Sequence, residues 1–343
     1  MAMSNRDSRF ELLRVVAIFF VVVHHLLLFG ADQCGYLSDF SPSASSVAAV
    51  LINSVVVTGV SLFVMITGWF GARRVWRPMA RLVVECAFFG VVAWLIGLCL
   101  QDLTGFGGAH LRWGWRECFN SMKFTNWWFM AHYLMLLLWA PLLEAALKSV
   151  DRRGMERIVV CLLVFNVLFG YFWGYVNASG YNVIHFILLY VIARYMRLYP
   201  EAPVVRFIRA KAVLLVAGCA LSMTQIFLLD TDCWYKNHPP VVWNYNDPLV
   251  ILEAVAIFSL FTKVRLQSAR LNFVARYVLG IYLLQSAPAV VLFRNAAGHW
   301  AFVWAGYAGL LALALAMCLA CWAVSWAIMS ALHPLLRSIK IVS

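Results

Sequence analysis

An arginine and a histidine inside one apolar run constrain this chain more than any other feature. Arg14 and His25 both fall within residues 12–30, a segment built almost wholly from aliphatic and aromatic side chains. Eleven residues at about 100° each bring the second side chain to within roughly 20° of the first, so the two share one helical face. A charged arginine in a spanning helix costs about 2.5–3.5 kcal/mol on insertion scales unless it faces protein or water. The pair is therefore expected to face an interior cavity, with the imidazole about 16 Å along the helix axis from the guanidinium.

The rest of the chain supports a membrane setting. Of its 343 residues, 64% are hydrophobic and only 12% charged, and short basic clusters separate long apolar runs. The sequence predicts an all-α polytopic membrane protein forming a single membrane domain over residues 1–343. Candidate spans are 12–30, 47–70, 82–100, 127–147, 158–176, 181–198, 212–229, 248–263, 277–293 and 301–332, about ten transmembrane helices. The first is too long for a signal-peptide core and is expected to be retained. The sixth is the weakest: its apolar core, Val183 to Ala193, is short and contains His185, so tilt, partial re-entry or shielding by neighbours is expected. No internal repeat of fixed period is visible.

Charge sets the expected orientation. All but five of the 27 basic residues fall at one side of the predicted spans. The exceptions, Arg112, Arg116, Lys123, Lys236 and Arg294, lie opposite, where acidic residues outnumber them. The positive-inside rule then puts both termini in the cytoplasm. The formal net charge of +12 is accounted for by topology and headgroup contact, and gives no support to nucleic-acid binding. Among nine cysteines, Cys34, Cys118 and Cys233 map to external loops and leave one disulfide possible. Cys318 and Cys321 sit mid-helix without a second ligand pair, so small packing residues rather than a metal site are expected there.

Several polar groups stand out from the apolar background. Only His25 of the pair His24–His25 shares the face of Arg14; a neutral imidazole there suits removal of a hydroxyl proton, although buried histidines also serve as hydrogen-bonded core residues. Arg74 and Arg77, three apart in a cluster of four arginines, would share one side of a helical turn and suit phosphate oxygens, or simply obey the positive-inside rule. Trp127 and Trp128 open the fourth span, with an interfacial belt expected for Trp127. His132 is assigned to hydrogen bonding before catalysis. Glu144 and Glu253 each need a partner or a wet cavity, Glu144 being placed near headgroups or Lys148. The stretch Asp230 to Pro248, with Tyr245 and Asn246, mixes stacking faces with amides and carboxylates in a way that suits either a sugar or an interfacial loop. Tyr282, Gln285 and Ser286 precede Pro288, predicting a polar notch and a kink.

Taken in order along the chain, these segments resemble a known family. Glu11-Leu12-Leu13-Arg14 followed by His24-His25, the Thr67-Gly68-Trp69 turn with its arginines, Trp128-Phe129 with Tyr133 and Pro141, Tyr245-Asn246-Asp247-Pro248, and Gly280-Ile281-Tyr282-Leu283-Leu284 are similar to the acyltransferase-3 family of integral-membrane O-acyltransferases. The resemblance implies a bacterial inner-membrane enzyme that takes an acyl group, usually acetyl, from cytoplasmic acyl-CoA. The acceptor it implies is a hydroxyl on a surface polysaccharide or a lipid-linked sugar. Arg14, Arg74 and Arg77 would hold the donor's phosphates. His25, with Arg14, would carry catalysis, as general base or through a transient acyl adduct. Trp128, His132, Tyr245, Asn246, Glu253, Tyr282 and Gln285 are the candidate acceptor contacts. Many family members have a histidine where this chain has Gln285, and His132 is unusual at its position. With no appended extracytoplasmic domain expected, transfer would occur within or at the mouth of the membrane domain. Two other readings compete: a transporter or flippase for a polysaccharide or lipid-linked intermediate, and a different membrane acyltransferase using Asn166 with His185.

Overall fold

A computed structural model describes residues 6–31, 44–72, 74–105, 127–176, 178–230 and 243–338, and these are helical apart from short connections. The helices are α1 (Ser8–His25), α2 (Ala44–Val56), α3 (Gly59–Phe70), α4 (Trp76–Thr104), α5 (Trp128–Lys148), α6 (Arg152–Leu163), α7 (Val183–Leu198), α8 (Pro203–Asp230), α9 (Pro248–Lys263), α10 (Ala269–Val274), α11 (Val278–Gln285) and α12 (Pro288–Ser338). α1 runs on as a π-helix over Leu26–Gly30 and α6 as another over Val164–Phe172. Among the described residues, six segments are long and apolar enough to cross a membrane: Ser8–Gly30, Val47–Phe70, Trp76–Thr104, Trp128–Lys148, Arg152–Phe172 and Pro288–Leu332. Large apolar side chains such as Leu138, Trp139, Leu142 and Phe172 remain exposed, as expected where lipid rather than water is the solvent. The chain is a multi-pass membrane protein.

Departures from the predicted spans have local causes. The second span divides between α2 and α3 at Val57–Thr58, where the Thr58 hydroxyl donates to the Val55 carbonyl. The predicted kink near Pro288 is a full break: α11 ends at Gln285, and Pro288 starts α12, where its missing N–H costs nothing. α12 then covers both the end of the ninth span and the tenth, bent at Ala305–Gly306. The sixth span forms α7, only 16 residues long, and neighbours shield it: Phe186, Leu188, Leu189, Tyr190, Val191 and Ala193 have no exposed surface. Its shortness reflects a central position.

The basic clusters converge at one end of the bundle. Phe10 at the start of α1 packs on Trp69 of α3 and Phe258 of α9, with ring centroids 5.4 and 5.6 Å away, and the Arg197 guanidinium lies over the Trp69 ring. Arg9 donates to the Thr262 carbonyl at 2.9 Å, and Lys263 donates to the Arg209 carbonyl. Glu144 does not sit among headgroups or on Lys148. Its two oxygens accept from the Tyr190 hydroxyl and the Arg194 guanidinium, each at 2.9 Å, so a buried ion pair joins α5 to α7. Trp127 is likewise not in an interfacial belt. It is 1% exposed, packed inside the protein where α5 begins.

Candidate active site

Two cavities lie end to end along α1. The first, about 310 Å³, is lined by Arg6, Arg14, Arg81 and Arg276 together with Thr67, Glu85, Met130 and Tyr133. The second, about 350 Å³, is lined by His24, His25, Trp128, Tyr181, Tyr245, Ser286, Arg294 and Asn295. Val21, Val60, Phe129 and Tyr282 border both, so the cavities adjoin across a waist formed by these four mostly apolar side chains. Arg14 lies on one side of the waist and His25 on the other, as the shared helical face predicts.

The arginine cavity carries excess positive charge. Glu11 pairs with Arg14 at 2.7 Å and lies 3.6 Å from Arg6, while Glu85 pairs with Arg81 at 2.5 Å. Four guanidinium groups against two carboxylates leave two positive charges at the cavity. The Thr67 and Tyr133 hydroxyls, 2.9 Å apart, add neutral hydrogen-bonding capacity on the α3–α5 side. Such a wall suits a ligand with more than one phosphate.

Arg74 and Arg77 do not form the expected pair on one helical turn. Gly71 ends α3 with φ +74°, and α4 starts only at Trp76 with Pro78 in its first turn, so Arg74 precedes the helix that contains Arg77. Both are exposed and neither lines either of these two cavities. Arg81, one turn beyond Arg77, is the residue of this cluster that reaches the cavity wall.

Around His25 the geometry fixes a tautomer. Arg294 Nη1 lies 3.1 Å from both the side-chain oxygen and the backbone carbonyl of Gln285. A guanidinium only donates, so the Gln285 side-chain atom facing it is its oxygen. The same oxygen lies 3.0 Å from His25 Nδ1, and an amide oxygen only accepts. Nδ1 therefore carries the proton, and the lone pair stands on Nε2. Arg294 Nη1 and His25 Nδ1, 3.4 Å apart, are two donors sharing one acceptor. The Gln285 amide nitrogen donates to Ser286 Oγ at 2.5 Å, which holds the amide in this orientation. Gln285 does no acid–base chemistry itself. It orients the His25 imidazole.

The backbone brings these groups together. The π-turn at Leu26–Gly30 begins directly after His25, and π-bulges recur at functional sites because they re-aim the side chains beside them. Gly30 meets Gly298 of α12 so closely that a Cβ on Gly30 would stand 2.9 Å from the Gly298 Cα. That approach seats the first turns of α12, and with them Arg294, against the end of α1. His24, which does not share the helical face of Arg14, also borders the second cavity, and its Nδ1 is tied to Asn53 Oδ1 at 2.7 Å.

The remaining predicted acceptor contacts separate into two groups. Trp128, Tyr245 and Tyr282 line the second cavity, where Tyr181 joins them: ring centroids are 4.5 Å apart for Trp128–Tyr181 and 4.8 Å for Tyr181–Tyr245. His132, Asn246 and Glu253 line neither cavity. His132 packs against Trp128 and Phe186. Asn246 donates to the Asn166 carbonyl in the π-helix after α6, at 3.3 Å, and Asp247 caps α9 by accepting from Leu249 N at 2.8 Å. Glu253 is fully buried, with no hydrogen-bond partner for either oxygen among the described residues. Asn166, the residue invoked with His185 in the competing reading, donates to the Leu162 carbonyl of its own helix. Cys34, Cys118 and Cys233, and most of the stretch before Trp243, lie outside the described residues.

Comparison with known proteins decides the family. The model of the acyltransferase-3 family, described as an acyltransferase domain, matches residues 7–326. The chain belongs to the acyltransferase-3 family. No curated protein and no solved structure matches it. As an acyltransferase-3 membrane protein, it places both cavities, and every residue that lines them except Arg6, inside the matched region. Sequence reasoning missed Arg294 and Tyr181. In sequence Arg294 is only a charge opposite the basic clusters, and Tyr181 stands out only through its ring contact with Trp128.

Proposed function

We propose that the protein is an O-acyltransferase that takes an acyl group, acetyl being the expected one, from acyl-CoA in the arginine cavity. The acceptor is a hydroxyl, on a surface polysaccharide or lipid-linked sugar, held in the histidine cavity. One observation carries the reading: the arginine-lined and histidine-lined cavities adjoin, with Val21, Val60, Phe129 and Tyr282 lining both. Coenzyme A joins phosphates to a thioester through a long uncharged arm. That shape matches cations at one end, an apolar constriction in the middle and an imidazole beyond it. By the positive-inside rule the arginine cavity opens to the cytoplasm, where acyl-CoA is made, in a bacterial inner membrane.

Residue roles follow from the geometry. Arg14, Arg81, Arg276 and Arg6 hold phosphates; Arg74 and Arg77, exposed at the same end, act on the donor through longer-range attraction. Trp128, Tyr181 and Tyr245 offer stacking faces to a sugar ring. His25 Nε2 takes the proton of the acceptor hydroxyl as its oxygen attacks the thioester carbon. The C–S bond then breaks, the acyl group stays on the acceptor oxygen, and the coenzyme sulfur leaves with the proton His25 returns. Attack by Nε2 itself, giving a transient acyl-imidazole, uses the same tautomer and balances in two steps.

Purified protein supplied with radiolabelled acetyl-CoA is expected to release free coenzyme and to label an acceptor glycan extract. His25→Ala is expected to lower the rate by a factor of about 10² or more while leaving donor binding intact. Undiminished turnover in that variant would contradict the assignment. Glycan that is absent from the surface of a deletion strain, rather than present without its ester, would favour the transporter.

A further inference from the structure

Arg294 is a buried cation with no counter-ion among the described residues. It is 5% exposed and borders the histidine cavity, yet no carboxylate lies within ion-pair distance among the described residues. Its neighbours are neutral. Nε and Nη2 donate to Asn295 Oδ1 at 3.0 and 2.8 Å, and Nη1 donates to the two oxygens of Gln285. Four of five N–H groups are thus satisfied, leaving one on Nη2. The Phe29 ring lies under the guanidinium, its centroid 5.7 Å from Cζ. A buried positive charge is costly without an anion, and a charged side chain inside a membrane protein marks a functional site by default.

We propose that the histidine cavity recognises an anionic acceptor, whose negative group pairs with Arg294 while its sugar ring stacks on Trp128, Tyr181 and Tyr245. This rests on the acyltransferase reading for the word acceptor but on Arg294 alone for the charge. The shared chemistry is a compact oxyanion on or beside a sugar. Its source is either a carboxylate on the ring, as in a uronic acid, or the phosphate that links a sugar to its carrier. The arrangement also explains why Asn295 and Gln285, both amides, face the guanidinium: carboxylates there would neutralise the charge that the acceptor is meant to meet.

The test is isothermal titration calorimetry on the full-length protein in detergent at fixed ionic strength. The probes are methyl glucuronide, glucose 1-phosphate and, as the neutral reference, methyl glucoside. At least one anionic probe is expected to bind about tenfold or more tighter than the glucoside. Which anionic probe wins identifies the carboxylate or the phosphate as the source. Arg294→Gln is expected to erase the preference, and Arg294→Lys, which keeps the charge, to retain part of it. Equal binding of neutral and anionic probes, a preference that survives Arg294→Gln, or no binding of either anionic probe overturns the proposal. Binding requires no turnover, so it is measured in His25→Ala as well. Lost preference with intact acetyl transfer defeats this inference alone, and intact preference without any transfer defeats the acyltransferase reading alone.

Discussion

His25, Gln285 and Arg294 act as one hydrogen-bonded unit, and the unit makes separable predictions. Gln285→Leu removes the acceptor that fixes the imidazole tautomer but no phosphate contact, so kcat is expected to fall about tenfold or more with KM for acyl-CoA unchanged. Steady-state kinetics on the purified variant checks this. Arg14→Gln or Arg81→Gln should do the reverse. Each loses a charge-assisted contact, so KM for acyl-CoA is expected to rise by about tenfold, whereas Arg74→Gln gives a smaller change that fades with added salt. At this scale the sequence was readable where it was periodic. Arg14 and His25 announce their shared face because eleven residues nearly complete three turns. Gln285 reads in sequence only as a missing histidine, and its role emerges only once Arg294 is seen to donate to it. Glu144 was misplaced because its partners, Tyr190 and Arg194, are about 50 residues away.

Helices carry these groups to each other through a few close contacts. The Gly30–Gly298 approach fixes α12 against the end of α1, so Gly298→Leu is expected to push Arg294 away from Gln285. The expected readout is a drop in kcat close to that of Gln285→Leu in protein that still elutes as folded material on size exclusion. The Glu144–Arg194 pair fastens α5 to α7. Glu144→Ala leaves a buried guanidinium unpaired and is expected to cost about 3–5 kcal/mol, visible as a lowered melting temperature in detergent. Apolar run length located most of the helices, although among the described residues only six segments are long and apolar enough to cross a membrane, and the predicted 212–229 and 301–332 lie inside the longer helices α8 and α12. The breaks were less legible. The Ser286–Ala287 gap was signalled by Pro288, but the π-turn after His25 has no proline or glycine before Gly30 to mark it, and the start of α4 at Trp76 undid the expected Arg74–Arg77 turn.

The whole molecule sets a cavity lined by arginines beside one lined by histidines, with Val21, Val60, Phe129 and Tyr282 between them. In the proposed reaction that arrangement would keep water away from the thioester. The orientation assigned by charge is expected to show in cells: Arg77→Cys should react with a membrane-impermeant thiol reagent only after the inner membrane is opened. The basic clusters give an expected polarity from sequence alone, whereas the waist joins residues of α1, α3, α5 and α11 and is visible only in three dimensions.

Val60→Trp tests that connection most directly, because it narrows the waist without touching an arginine or the histidine. Donor binding and acyl transfer are to be measured on the same preparation. Acetyl-CoA is expected to bind with nearly unchanged affinity while transfer falls by about two orders of magnitude. Full transfer in a variant that binds donor normally would mean that the thioester does not reach His25 through the waist, and would contradict a single path between the two cavities.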